Sequence, residues 1–318
     1  APSAYALIGG ERREPYIGIL LEYDRPLESI PRRLEFKPKP LAGSRLRVGL
    51  IGAGKYATTH LLPWISKHPG LAVGAVCTAT GITAVAVAQK FNGTSAETDA
   101  HRVIGESDAV VVATRHDTHA SYAAEALRAG KPVYVEKPLA LNDAELDAVT
   151  QALAQGSNSS VMVGFNRRFA PAADAVRKHF NGVASRLQIA MRVNAGPIPP
   201  EHWIQDPDVG GGRLVGEGCH FVDLAVALGG GLVRRVHAFA ITKPGQPPAR
   251  WEDFSLHLEL ANGNLATIAY TSLGDPGLSK ERIEVHGGGR SAVIDDFQSV
   301  ELWTSRKCRR EKTATQDK

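Results

Sequence analysis

Apolar residues in the first half of the chain form short runs rich in valine and isoleucine, separated by longer segments of mixed polarity. The runs lie at residues 46–51, 71–77, 109–113, 132–135 and 161–164. Apolar runs of this length are typical of parallel strands buried on both faces. The intervening segments are predicted to be helices, at residues 56–66, 82–91, 119–129 and 143–154. This alternation of strands and helices predicts an α/β fold with a doubly wound parallel sheet.

After residue 164 the runs become longer and alternate between apolar and polar positions. Strands are predicted at residues 186–193, 233–241, 254–260, 265–272, 283–286, 292–295 and 300–303, and helices near 171–179 and 220–228. Alternation with a period of two indicates strands with one buried face, as in antiparallel sheets. The sequence therefore predicts an α+β domain with a mostly antiparallel open sheet at residues 166–318, after a first domain at 45–165.

The first 44 residues fit neither domain. Residues 16–23 form one apolar run that predicts a strand, and residues 26–40, with four prolines and alternating charges, are typical of a linker. We therefore expect residues 1–44 to be the remnant of a preceding domain followed by a linker.

Composition narrows the class of protein. The chain has 318 residues, 43% of them hydrophobic, and a formal net charge of only +4. Cys77, Cys219 and Cys308 are far apart and odd in number, which favours a reducing, cytoplasmic compartment over a disulfide framework or a metal site. No apolar run is long enough to span a bilayer. The basic residues near the C-terminus lack interleaved aromatic residues, so we expect neither a nucleic-acid nor a membrane partner.

The turn after the first apolar run has the pattern G-x-G-x-x-A, at Gly52, Gly54 and Ala57. In this pattern the first glycine permits a tight turn, the second lets the backbone approach a pyrophosphate, and the third small residue lets the helix pack closely on the strand. Lys55 and Tyr56 lie inside the turn and are expected to contact the same ligand. The strand–turn–helix context predicts a Rossmann dinucleotide site, although an ordinary strand–helix turn is the alternative.

A lysine follows the fourth apolar run directly, in the segment Glu136-Lys137-Pro138. Open α/β sheets bind ligands at the carboxyl ends of their strands, where Lys137 would lie. Its ammonium group is suited to stabilising a developing alkoxide, or to acting as a base if its surroundings lower its pKa. A structural ion pair with Glu136 is the alternative.

Residues 45 to about 304 resemble the Gfo/Idh/MocA oxidoreductase family, which includes glucose–fructose oxidoreductase and inositol dehydrogenase. The segments that carry the resemblance are Gly52-x-Gly54-x-x-Ala57, Thr114 with His119, residues 129–140 around Glu136-Lys137-Pro138, Gly210-Gly211-Gly212, and Gly218-Cys219-His220-Phe221-Val222-Asp223. The resemblance implies a Rossmann domain, NAD or NADP as cofactor, and hydride transfer at a carbon of a sugar, amino sugar or nucleotide sugar. It also implies that Lys137 and His220 are catalytic.

Two positions depart from the family pattern. The family often has proline and asparagine where this chain has Arg115 and His116, and aspartate where it has Gly216. The acid comes one residue later, so Glu217 is expected to act as the displaced acid or base, with charge at a helix N-terminus as the alternative.

Further candidates follow from their places in the predicted elements. Cofactor contacts are expected from Thr78, Thr114, Arg115, His119 and Glu136, and substrate contacts from Asn166, Arg168, Trp203 and Asp223. The second predicted strand ends in threonines without the carboxylate that NAD sites favour, so the choice between NAD and NADP stays open.

The first residues carry a second resemblance. Residues 4–10 and 18–23 are similar to the last helix and strand of a zinc-type alcohol dehydrogenase domain, which implies that the chain is a fragment of a fused protein. We expect a sugar-like substrate and a homo-oligomer formed through the open sheet. A cofactor- and sugar-binding module without turnover, regulatory or structural, is the alternative function.

Overall fold

The first sheet of the protein is the predicted parallel one. The computed structural model describes residues 2–12, 14–21, 32–38, 43–156, 160–242 and 247–312. Seven strands pair in the order β1-β4-β3-β2-β5-β6-β7, and all neighbours are parallel except β1 and β4. Their bounds are β1 Arg33–Glu35, β2 Leu46–Ile51, β3 Leu71–Cys77, β4 Ser95–Glu97, β5 Ala109–Val112, β6 Val133–Val135 and β7 Val161–Val163. The prediction of a doubly wound Rossmann sheet is confirmed.

Helices on both faces bury the apolar strands of this sheet. They are α2 Leu62–Lys67, α3 Ile82–Lys90, α4 Ala100–Glu106, α5 His119–Arg128 and α6 Asp143–Gln155, while a further helix, α1 Pro2–Ile8, lies near the start of the chain. A π-helical turn, Ala57–Leu61, precedes α2. Asn142 followed three residues later by Glu145 is the sequence pattern of a helix cap, and α6 has this cap. The backbone N–H of Glu145 donates to Asn142 Oδ1 at 3.0 Å.

Three short elements of the first sheet were missed by the sequence, namely β1, β4 and α4. Each is short, and β1 lies among prolines and alternating charges in the stretch predicted to be a linker, much of which is outside the described residues. The predicted strand at 16–23 is wrong for residues 16–21, which form no strand. Ile17 and Leu20 are exposed there, so the apolar run has no partner strand against which to form a ladder.

The second sheet has eight strands in the order β15-β14-β13-β12-β8-β11-β10-β9. Only the pair β8–β11 is parallel, so the predicted mostly antiparallel sheet is confirmed. The strands are β8 Gln188–Asn194, β9 Val233–Ala240, β10 Phe254–Leu260, β11 Leu265–Thr271, β12 Glu281–Gly287, β13 Arg290–Asp295, β14 Ser299–Thr304 and β15 Lys307–Lys312.

Two helices, α7 Pro171–Phe180 and α8 Cys219–Gly229, cover one face of this sheet. Phe221 and Leu224 of α8 are fully buried with Ile189 and Ile268 of the sheet in one apolar core. The other face carries exposed side chains such as Ala190 and Ala269. The sequence did not predict β15, because its charged residues hide the alternating strand pattern. Charged side chains are common on edge strands.

Candidate active site

The glycine turn after β2 has the shape that its sequence predicts. Gly52 has φ +88°, and a Cβ there would overlap the carbonyl oxygen of Ala113. Gly54 faces open space, with no atom within 4 Å of a Cβ placed on it. Ala57 is buried with 1% of its surface exposed, beneath the turn. The turn therefore leaves its open side at Gly54, where a ligand can approach the backbone.

A cleft of about 540 Å³ runs from this turn along the carboxyl ends of β2, β3 and β5. Its lining includes the predicted cofactor residues Gly52, Gly54, Thr78, Thr114 and Arg115. The hydroxyl of Thr78 is buried there without a hydrogen-bond partner among the described residues. A buried, unpaired hydroxyl beside a glycine turn suits the sugar and phosphate oxygens of a dinucleotide, so the residues present fit this cofactor.

Three other expected cofactor residues, Tyr56, Lys55 and Glu136, lie in different surroundings. Lys55 is exposed at the turn. The Tyr56 hydroxyl accepts a long hydrogen bond of 3.4 Å from Asn166 Nδ2. Glu136 accepts a hydrogen bond from the Tyr134 hydroxyl at 2.7 Å, and burial raises the pKa of its carboxyl. This polar cluster occupies the edge between the two sheets.

Lys137 points across the gap between the two sheets. Its Nζ donates a hydrogen bond of 2.9 Å to the carbonyl oxygen of Gly216, in the turn before α8. The peptide bond between Lys137 and Pro138 is cis. The side chains of Glu136 and Lys137 therefore have different hydrogen-bond partners, but the Lys137 charge and backbone N–H both counter the rise in the Glu136 pKa that burial causes, so a structural pairing of the two stays the alternative. His119 holds the adjacent segment, because its Nδ1–H donates to the Pro138 oxygen at 2.7 Å.

His220 is the second residue of α8, and only 5% of its surface is exposed. Its Nδ1 is buried without a hydrogen-bond partner among the described residues. Burial lowers the pKa of this imidazole far below its usual value, and the positive charges of Arg167 and Lys137 lower it further. His220 is thus a neutral imidazole within the field of Lys137, with one ring nitrogen unpaired.

Glu217 has surroundings that do not favour the expected role of an acid or base. Its carboxylate accepts hydrogen bonds from Lys280 Nζ at 2.6 Å and from the Tyr270 hydroxyl, and Arg213 lies 3.3 Å away. Burial alone would raise its pKa, but the charge and hydrogen bond of Lys280, with Tyr270 and Arg213, hold it at about 2. These partners favour a structural role, in which an ionised Glu217 ties the turn before α8 to the second sheet; an acid–base role stays a prediction.

The expected substrate residues separate into two groups. Arg168 and Asp223 bind each other through two hydrogen bonds, of 2.8 and 2.5 Å, in the wall of a second groove of about 640 Å³. Trp203 packs its ring edge-on against His116, with centroids 4.8 Å apart, and lies 5.7 Å from the Arg115 guanidinium carbon. These contacts favour Trp203 as an anchor of the glycine-rich loop, while its expected contact with the substrate stays a prediction.

One residue near Lys137 was noted in the sequence only as a departure from the family pattern. His116 is 5% exposed, and its ring packs against Gly216. The sequence signal for His116 is that positions 116 and 216 both depart from the family pattern. These positions are far apart in the sequence, and only the structure shows that they are in contact.

Comparison with known proteins agrees with this arrangement. Residues 46–165 match the family described as an oxidoreductase family with an NAD-binding Rossmann fold, and residues 169–293 match the GFO/IDH/MocA C-terminal domain. An inositol 2-dehydrogenase of Rhizobium meliloti (strain 1021) is 30% identical over 262 residues, which cover 81% of this chain and 78% of the relative. The inositol 2-dehydrogenase 2 of Saccharopolyspora erythraea is 32% identical over 230 residues, 70% of this chain and 66% of the relative.

Solved structures give the same result. Levoglucosan dehydrogenase in complex with NADH and levoglucosan has a TM-score of 0.73 and 25% identity, over 85% of this chain and 80% of that one. A putative myo-inositol dehydrogenase from Sinorhizobium meliloti 1021 has a TM-score of 0.65 and 29% identity, over 84% and 82% of the two chains.

The dinucleotide turn and the dehydrogenases among these relatives identify a nicotinamide-dependent oxidoreductase that acts on CH–OH groups. The chain belongs to the Gfo/Idh/MocA oxidoreductase family. Its cofactor site is an NAD-binding Rossmann domain. Within the described ranges, none of the helices has the length and apolar character needed to cross a membrane.

Proposed function

We propose that this chain oxidises a secondary hydroxyl of a polyhydroxylated ring, a cyclitol or a pyranose-like sugar, with NAD or NADP as hydride acceptor. The observation that carries the proposal is the proximity of the Lys137 ammonium to the buried His220 imidazole, whose pKa its charge lowers. Lys137 Nζ is held at Gly216, and His220 presents an unpaired, buried Nδ1 within the field of that ammonium group. The relatives named above as inositol 2-dehydrogenases and levoglucosan dehydrogenase support a ring polyol as the substrate.

When bound along the glycine turn, the nicotinamide cofactor supplies the hydride acceptor for this chemistry. Gly52 and Gly54 shape the turn that holds the pyrophosphate, and Thr78 offers its free hydroxyl to the ribose side. Thr114 and Arg115, at the end of β5, line the same cleft nearer the second sheet.

The chain itself provides a cation and a proton acceptor. The Lys137 ammonium stabilises the negative charge that develops on the substrate oxygen as its proton leaves. Because His220 is neutral, its imidazole is suited to accept the hydrogen bond of the substrate hydroxyl and to relay that proton toward solvent, since its lowered pKa keeps it from holding the proton. Low exposure of both side chains limits competition from water for these contacts.

The test is a panel of ring polyols offered with each cofactor. Purified protein is mixed with NAD or NADP and myo-inositol, levoglucosan or D-glucose, and formation of the reduced nicotinamide is followed by its absorbance. Gly54→Val protein is the control for background reduction. Turnover of at least one polyol supports the proposal. Cofactor binding measured by calorimetry without turnover of any polyol would instead support a non-catalytic binding module.

Assembly and location belong to the same proposal. The open face of the second sheet exposes Ala190 and Ala269, and the exposed Phe239 of edge strand β9 lies on the same face, separated from Ala269 by Ser255 of β10. An open sheet face that is not covered by a helix suits a symmetric contact with a second copy of the chain. The three cysteines are free thiols, which favours a reducing, cytoplasmic compartment.

A further inference from the structure

His116 is held in one orientation by the loop that precedes α8. Its Nδ1 lies 2.8 Å from the carbonyl oxygen of Gly210. The next residue, Asp117, contacts the same loop, because its backbone N–H donates to the Val209 oxygen at 3.1 Å. The ring packs edge-on against Trp203 and lies 5.6 Å from the ring of His119. Backbone and side chain are therefore both fixed.

The hydrogen bond to Gly210 also fixes the tautomer of His116. A carbonyl oxygen only accepts, so Nδ1 must carry the proton. Burial lowers the pKa of this imidazole to about 4, outweighing the bond to Gly210 that raises it, and the charge of Lys137 lowers it further. Near neutral pH the ring is uncharged, and its Nε2 is a bare hydrogen-bond acceptor. Nε2 has no hydrogen-bond partner among the described residues.

Gly216 is the residue against which His116 packs. A Cβ at Gly216 would lie 3.2 Å from His116 Cε1 and 3.1 Å from the Gly210 oxygen, closer than side chains normally pack. The carbonyl oxygen of the same glycine holds Lys137 Nζ. A side chain at position 216 would thus compete with His116 for the space beside Lys137, so the imidazole takes the place that such a side chain would occupy.

We propose that His116 is a substrate-binding residue of the active site, whose bare Nε2 accepts a hydrogen bond from a hydroxyl of the ring polyol beside Lys137. This inference rests on the proposed function. Donors on a polyol next to the reacting carbon are hydroxyl groups, and a neutral acceptor binds them without adding a negative charge beside the Lys137 ammonium. The acceptor on this side of the site is therefore an imidazole held by Gly210, and not a carboxylate.

Two variants separate this role from a purely structural one. In His116→Asn the amide Nδ2 is placed to donate to Gly210 as Nδ1 does, but Nε2 is lost. In His116→Gln the amide oxygen reaches the region of Nε2, while the Gly210 contact is weakened. We expect H116N to lower kcat/KM for the polyol that the parent oxidises by about tenfold or more, the scale of one lost hydrogen bond in a site. H116Q should retain more activity than H116N, and the cofactor Kd should stay within about twofold of the parent in both.

His101→Asn is the matched control, because this histidine is an exposed residue of α4 whose surface contact with Glu125 contributes little. A structural role predicts the opposite order, with H116N, which keeps the anchor, closer to the parent than H116Q. That order, or parental kcat/KM in H116N, overturns the inference while the proposed function stands. A parent inactive on every polyol overturns both.

The ¹⁵N spectrum of histidine-labelled, cofactor-free protein gives a readout that does not depend on turnover. We expect the His116 ring, assigned by its loss in H116N or in H116Q, to be neutral with the proton on Nδ1 at pH 7. Adding myo-inositol with NADH should shift the Nε2 resonance. A proton on Nε2, or no shift with a polyol that the parent oxidises, contradicts the inference even if H116N fails to fold.

Discussion

Lys137 Nζ and the carbonyl oxygen of Gly216 are 2.9 Å apart, and this hydrogen bond joins the edge of the first sheet to the turn before α8. The lysine is the second residue after β6, and the glycine lies four residues before His220. The two reactive groups that we propose for the site, the Lys137 ammonium and the His220 imidazole, are thereby linked through one contact between separate parts of the chain.

Replacing Lys137 with alanine removes the cation that stabilises the alkoxide. We expect Lys137→Ala to lower kcat by about 10²-fold or more, the usual scale for an acid–base group, with the cofactor Kd little changed. Lys67→Ala, at the exposed end of α2, is the control and should match the parent. Steady-state rates and calorimetry measure the two effects. Parental kcat in K137A would assign Glu136-Lys137-Pro138 to the scaffold.

The two glycines of the turn should respond differently to the same change. Gly54→Val places its side chain in open space where the pyrophosphate is expected, so cofactor affinity should fall while the melting temperature stays near that of the parent. Gly52→Val must overlap Ala113 and hold φ near +88°, so it should unfold at a lower temperature. Calorimetry and thermal unfolding distinguish the outcomes. Equal cofactor affinity in G54V and the parent would remove this turn from the cofactor site.

Glu217→Gln should destabilise the protein without altering its catalytic pH profile. The folded carboxyl has a pKa of about 2 against an ordinary 4.5, so its ionisation stabilises the fold fully above pH 4.5, and this contribution is lost as the pH falls toward 2. Removing it leaves Lys280 and Arg213 without their common partner, at a cost of roughly 3 kcal/mol. The difference in unfolding free energy between parent and variant, from urea denaturation, should therefore be largest near neutral pH and shrink in acid.

The exposed Glu35→Gln is the control for this change and should have little effect. An unchanged acid limb of the pH–rate profile is expected for E217Q. A flattened limb would restore Glu217 as an acid–base residue.

A charge on the open face of the second sheet should separate the expected homo-oligomer. Ala269 is exposed on β11, and in a symmetric contact two copies of a glutamate at this position would be brought close together. We expect Ala269→Glu to shift the mass measured by light scattering from oligomer to monomer. Ala154→Glu, on the exposed face of α6, should leave the mass unchanged. A parent that is already monomeric at micromolar concentration would contradict the contact itself.

Local sequence signals predicted the parts of this protein that depend on local geometry. Gly52 could be assigned because only glycine combines a positive φ with the close approach to Ala113, and Asn142 because a cap needs only residues of its own turn. The strand at 16–23 was wrong because an apolar run has no strand structure without a neighbouring strand.

The surroundings of Glu217 and His116 could not be predicted for the same reason. The partners of Glu217 include Tyr270 and Lys280, which are 53 and 63 residues away in the sequence, and the partner of His116 is 94 residues away. Residue spacing along the chain does not indicate which carboxylate will join an ion cluster whose members are distant in sequence.

The hydrogen bonds from Lys137 to Gly216, from His116 to Gly210 and from Asp117 to Val209 have a common property: each begins on the first sheet's edge and ends on the loop before α8. Any swing of the two halves of the molecule away from each other must break all of them together. Such a motion would release the ammonium from its carbonyl and the imidazole from its anchor at the same moment. The positions of Lys137 and His116 therefore both depend on how the loop before α8 is held, so a change that loosens this loop would displace the two side chains together.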